Sequence, residues 1–294
     1  MKHKYLSEVI YQLFALVIVI IVVHAVYVAV IRPNADIILD QQAELQQADD
    51  TYVPEQSIYI VLRDFEQETC IILFFWAMII IGMKASRTMK ERALLERELL
   101  QVSAGTSILP EDARNFARPV QALPDNEQQF LLPRAVLSGL HRFGTTRSVQ
   151  DVAATIRNVC DSEADRLESE LSIVRYIAWA IPSIGFLGTV RGIGTALGQA
   201  QQAVNGDIMG VTMSLGVAFN STFVALVTSI LLMFLLHQLS LIQDRLVLDS
   251  ENYCNDHLIA YLQVPERNGE RNGERNGTRA SSRQSLDDPQ AASV

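Results

Sequence analysis

Cysteine is scarce: Cys70, Cys160 and Cys254 are the three in the chain, widely scattered. An odd, scattered set excludes a disulfide framework, and no Cys/His spacing offers a metal site. Basic stripes are absent as well. Lys and Arg number 24 against 33 Asp and Glu, a net charge of −9, which argues against a nucleic-acid binder. No nucleophile–base pattern occurs. The glycine-rich stretch lies inside an apolar run rather than after a strand and lacks the P-loop lysine. An enzyme is therefore the weakest reading, and no cofactor is expected. The two halves show no internal repeat of the kind many solute carriers have.

What the chain has in excess is apolar sequence. Its mean hydropathy is +0.17, where a soluble domain of this size normally lies below zero, and the surplus sits in four blocks. The first, Leu13 to Ile31, comes after Lys2 and Lys4. It lacks a convincing small-residue cleavage site and is long enough to span a bilayer, so it reads as an uncleaved first transmembrane helix within 1–31. His24 falls inside it, either as a proton relay or as a helix–helix hydrogen-bonding group.

Residues 32–68 are polar and acidic and read as an external loop. A second span, 69–84, leads at once into Lys84, Arg87, Lys90, Arg92 and Arg97. By the positive-inside rule this basic flank and both termini are cytoplasmic. Residues 85–171 form a cytoplasmic helical domain: Leu94, Leu95, Leu99 and Leu100 predict an amphipathic helix from Thr88 to about Val102, and prolines at 110, 119, 124 and 133 divide the next stretch into short pieces. Ser148-Val-Gln-Asp151 is a capping box. No proline or glycine intervenes before Pro182, so one long helix is predicted from the cytoplasm into the third span, 172–199. An external turn (200–210), a fourth span (211–238) and a cytoplasmic helix (239–264) complete the order. The tail, 265–294, contains three consecutive Glu-Arg-Asn-Gly units and has no composition for a core.

The third span, Ile181 to Gly198, carries five glycines, two threonines, a proline and an arginine. That is not the composition of an anchor. Pro182, Gly185, Thr189 and Gly192 share a face, and Gly188/Gly192 and Gly194/Gly198 are small-xxx-small pairs suited to close helix packing. Pro182 is expected to kink the helix. On the fourth span Ser214, Ser221, Thr222, Thr228 and Ser229 form a narrow stripe. Such a stripe can line a water path or bond to its own backbone carbonyls. Neither Ile181–Gly198 nor the apolar stretch 211–236 holds Asp, Glu, Lys or His, and Arg191 is the single ionisable residue there. A carboxylate for ion transfer must then come from elsewhere, most naturally another chain.

The run Pro182-Ser-Ile-Gly-Phe-Leu-Gly-Thr-Val-Arg-Gly-Ile193 resembles the P-x-x-G-x-x-G-T-V-x-G-I signature of the MotA/TolQ/ExbB proton-channel family. Ala218 to Leu226 is similar to the family's A-L-x-x-T-x-x-G-L segment, with Thr222 at the threonine and Ala225 in place of glycine. The resemblance covers residues 150 to 245. It implies a multi-pass subunit of the bacterial inner membrane that forms a homopentamer. This would surround the helices of a MotB/TolR/ExbD-like single-span dimer, whose aspartate carries H⁺ or Na⁺. In that picture Thr189 and Thr222 face the partner's aspartate, with Ser214, Ser221 and Thr228 along the ion path. Two departures stand out. Arg191 replaces a commonly bulky apolar residue, and Val217 stands where some members carry glutamate. Arg191 either snorkels to the outer headgroups or gates ion entry and pairs with the partner. The expectation is an all-α membrane protein with four transmembrane helices, acting as an ion-channel subunit. The competing expectation is a non-conducting scaffold assembled through its small-residue helices.

Overall fold

The computed structural model describes residues 2–48, 57–97, 99–100, 107–205 and 208–264; the Glu-Arg-Asn-Gly tail lies outside them. Among the described residues the chain is all helical, with four helices long and apolar enough to cross a membrane.

Helix α1 (Lys2–Val26) passes through a π turn (Tyr27–Ile31) into α2 (Arg32–Ala48). Here the structure corrects the loop predicted for 32–68, because the helix continues to Ala48. Pro33 would ordinarily stop a helix by removing a donor and clashing with the carbonyl four residues back. The π turn immediately before it widens the ring and absorbs that clash. The Asn34 side-chain amide donates to Val30 O at 2.7 Å, and the next residues, rich in Ala, Gln, Glu and Leu, favour helix. A short α3 (Ile58–Val61), capped by the Ser57 hydroxyl, precedes α4.

Helix α4 (Phe65–Leu95) starts before the predicted second span and ends well after it. Glu66 and Glu68 in its first turn suit the positive end of the helix dipole. No proline interrupts it. The separate amphipathic helix predicted from Thr88 is therefore the end of α4, and Leu99 and Leu100 are buried beyond it, their N–H groups donating to the Tyr253 hydroxyl at 3.0 and 3.4 Å.

Next come α5 (Ala113–Gln121), α6 (Asp125–Gln128) and α7 (Leu131–Thr146). Arg147, in the left-handed region at φ 53°, ends α7. The Ser148 cap forms, its hydroxyl accepting the Asp151 N–H at 3.3 Å, and α8 (Val149–Gly198) runs unbroken through Pro182. A short α9 (Ala200–Val204) leads to α10 (Met209–His257), which joins the predicted fourth span and the cytoplasmic helix after it into one, ending in a 3-10 turn at Ile259–Tyr261.

The described residues fall into two compact units, within Met1–Arg97 and Cys160–Asp249 for the first and within Glu98–Val159 and Ser250–Val294 for the second. The first unit packs α4 against α8 and α10. Cys70, Ala77, Ile80 and Ile81 meet Leu171, Val174, Ile177, Ala178 and Ile181, with Ala225, Leu232, Leu236 and Leu239 completing the core. Val19, Val23, Tyr27 and Ile31, spaced by four, form a second cluster against Ile71 and Ile72 of α4. In the second unit α5 packs on α7, and Gly139 admits Ile156 and Leu258, either of which would stand 3.1–3.2 Å from an added Cβ. A parallel bridge ties Ile108 to Leu262, with Ile108 N–H donating to Tyr261 O at 2.8 Å.

Candidate functional site

Close approach of α8 and α10 is made possible by absent side chains. A Cβ on Gly188 would stand 2.5 Å from Ser221 Cβ, and one on Gly192 would stand 2.7 Å from Ala218 Cβ and 2.8 Å from Ser214 O. Gly185 would strike Ala225 in the same way. Three glycines one turn apart thus set three small residues of α10 directly on the α8 backbone. Gly194 and Gly198 meet nothing within 4 Å.

Pro182 cannot donate to Ala178 O, the acceptor it would use in a regular helix. The Ser229 hydroxyl of α10 donates there instead at 2.9 Å. At another carbonyl nearby, Cys70 Sγ of α4 donates to Ile181 O at 3.7 Å. The proline therefore opens a backbone acceptor, and a neighbouring helix fills it.

Further along α8, Thr189 Oγ1 and Thr222 Oγ1 hydrogen-bond each other. Thr189 Oγ1 also lies 3.2 Å from Ala218 O and 3.3 Å from Gly185 O, and Thr222 Oγ1 lies 3.2 Å from Gly185 O. Each hydroxyl owns a single proton, so two protons serve four contacts and the pair can exchange donor and acceptor roles by rotation. Both threonines are half-buried, at the rim where the contact meets an exposed apolar face carrying Phe186, Val190, Phe219 and Phe223.

The other hydroxyls of the α10 stripe are bonded within the chain. Ser221 is fully buried and donates to Val217 O at 2.8 Å, and Thr228 donates to Val224 O at 2.8 Å. Ser214 Oγ lies 3.3 Å from Gln199 Oε1.

Arg191 has a partner within the chain. Its Nε lies 2.7 Å from Glu66 Oε1 and its Nη2 2.8 Å from Glu66 Oε2, a bidentate fork. Its guanidinium lies 4.5 Å from the Phe65 ring centroid, and Asp64 Oδ1 is 3.9 Å away. Burial pushes the Asp64 carboxyl above the usual range, against the opposing pull of Arg191, Arg63 and Arg32. Glu66 is buried, and Gly188 makes room for its stem: Glu66 Cγ would stand 3.2 Å from a Cβ there. Two residues later on α4, Glu68 is shared by His24 Nδ1 at 2.7 Å and Arg32 Nη2 at 2.6 Å. A carboxylate does reach the third span from within this chain. The loop predicted for 32–68 hides Glu66 and Glu68 from sequence reasoning; the signal available is a lone arginine in an apolar span, which requires a counter-charge.

A family model described as the MotA/TolQ/ExbB proton channel family matches residues 127–252. That stretch contains α7, α8, α9, most of α10 and both threonines. Over it, the chain is similar to the MotA/TolQ/ExbB family. No curated protein and no solved structure matches. The matched family is of the proton-channel type, and four described helices are long and apolar enough to cross a membrane, as in a multi-pass membrane protein. Glu66, Glu68, His24 and Arg32 lie outside the matched segment.

Proposed function

We propose that this chain is a MotA/TolQ/ExbB-family protein, the conducting subunit of an inner-membrane motor or energy transducer driven by ion-motive force. In this reading five copies surround a MotB/TolR/ExbD-like single-span dimer. The partner's intramembrane aspartate carries H⁺, or Na⁺ on the same route, and the termini face the cytoplasm. The single observation behind it is the Thr189–Thr222 pair, which offers an exchangeable hydroxyl couple at the rim of the α8–α10 contact beside an uncovered apolar face. A protonated carboxylate on a facing helix could donate to that couple or accept from it in turn.

The test is ion flux in native membranes, where the chain's own partner is present. Thr189→Val and Thr222→Val keep side-chain volume and remove the hydroxyl, and each is expected to reduce flux at least tenfold. Full flux and function in both variants would remove these residues from the ion path.

A second reading, a non-conducting scaffold, is favoured by a different observation: Ser221, Thr228 and Ser229 all bond to backbone carbonyls, as a packing stripe would. Co-purification of a single-span protein with an intramembrane aspartate separates the two, since the scaffold does not need one.

A further inference from the structure

Glu66 and Arg191 occupy the same height along α8 as the threonine pair. The Glu66 stem lies against Gly188 and its carboxylate grips Arg191, so the ion pair spans three residues of α8, about 4.5 Å of rise, with Thr189 between them. Thr189 bonds to α10 and Arg191, two residues further along the same helix, pairs with Glu66 of α4, so the guanidinium lies within about 10 Å of Thr189, the width of a helix. Arg191 cannot shed its charge. An unbalanced unit charge at ~10 Å in a medium of effective permittivity about 20 changes cation occupancy by roughly tenfold. A guanidinium placed there alone would oppose every cation passing Thr189.

We propose that Glu66 serves as the charge balance of the ion path: it cancels Arg191 so that a cation meets no net repulsion at the Thr189–Thr222 pair. This rests on the reading of that pair as the ion route. The family-matched segment supplies the arginine and a helix outside it supplies the carboxylate, so the balance is made only when α4 is docked on α8.

The two partners behave differently when stranded, and this makes the proposal separable from a simple clamp. Without Glu66, Arg191 stays charged, with Asp64 at 3.9 Å compensating in part. Without Arg191, no excess positive charge is left beside the path, so a cation passing Thr189 meets no repulsion from this pair. Flux in native membranes is therefore expected to fall about tenfold in Glu66→Gln and further in Asp64→Asn/Glu66→Gln. It should remain substantially higher in Arg191→Gln, and Glu66→Gln/Arg191→Gln should recover to the Arg191→Gln level. Size-exclusion profile and melting temperature in detergent, read for every variant, separate loss of conduction from loss of fold. If Glu66→Gln and Arg191→Gln lower flux equally and the double variant is no better, the pair is only a clamp and the proposal fails. Unchanged flux in Glu66→Gln also overturns it. Thr189→Val and Thr222→Val, run alongside, tell the two levels apart: full flux there defeats the ion-path reading itself, whereas lost flux there with no recovery in the double variant defeats only the charge balance.

Discussion

Ser229 donates its hydroxyl to Ala178 O, the carbonyl that Pro182 leaves without a donor, at 2.9 Å. A proline in a transmembrane helix is tolerated when a neighbouring helix re-satisfies the freed backbone group, and here the neighbour is the other helix of the candidate site. Pro182 thereby couples α8 to α10.

That coupling is measurable. Ser229→Ala should lower stability by about 1–2 kcal/mol, since it strands a buried carbonyl. Pro182→Ala restores the helical donor, so the same serine substitution in that background should cost much less. A double-mutant cycle on chemical denaturation in detergent reads the difference as a non-zero interaction energy between the two positions.

The glycines of α8 should divide by position. Gly188→Ala forces a methyl onto Ser221 at 2.5 Å and should destabilise by about 1–3 kcal/mol. Gly194→Ala and Gly198→Ala meet open space within the chain. In the isolated chain they should be neutral or stabilising by about 0.5–1 kcal/mol through helix propensity. The measurement is the melting temperature of each variant against the parent.

Glu68 holds two partners at once, His24 and Arg32. Glu68→Gln leaves Arg32 without its carboxylate next to an apolar span and should cost about 3 kcal/mol. His24→Gln, which retains a hydrogen-bonding group toward Glu68, should cost less than half of that. The ranking of the two melting temperatures checks this.

Among the described residues of the first unit, two buried polar side chains lack a partner: the Tyr27 hydroxyl and both amide atoms of Gln67. Tyr27→Phe and Gln67→Met should therefore be neutral or stabilising, by up to about 1 kcal/mol, because no protein hydrogen bond is lost. A destabilisation of either by more than that would reveal bridging water in the cluster around α4's first turn.

Much of this protein is legible from local pattern. Composition alone marks four apolar helices, and spacing places Gly185, Thr189 and Gly192 on one face of the third. The capping box at Ser148 and the uninterrupted run to Pro182 predict the start and length of α8, because caps and periodicity depend on residues within a few positions of one another. Local pattern errs where a signal reads as a stop. Pro33 and the acidic residues after it look like the end of a helix, yet a π turn carries the chain through. The basic stretch after Gly82 looks like a new element, yet nothing in it breaks a helix.

Tertiary structure alone decides the partners. Arg191 and Glu66 are 125 positions apart, and no local period connects a lone arginine in one span with an acid at the edge of another. The pairing arises because α4 docks on α8 at a place where Gly188 leaves room, and because a charge in an apolar setting is stable only when paired. In the same way, the sequence names Thr189 and Thr222 as residues of two separate helices. Only the glycine-permitted contact between α8 and α10 brings their hydroxyls within hydrogen-bonding reach.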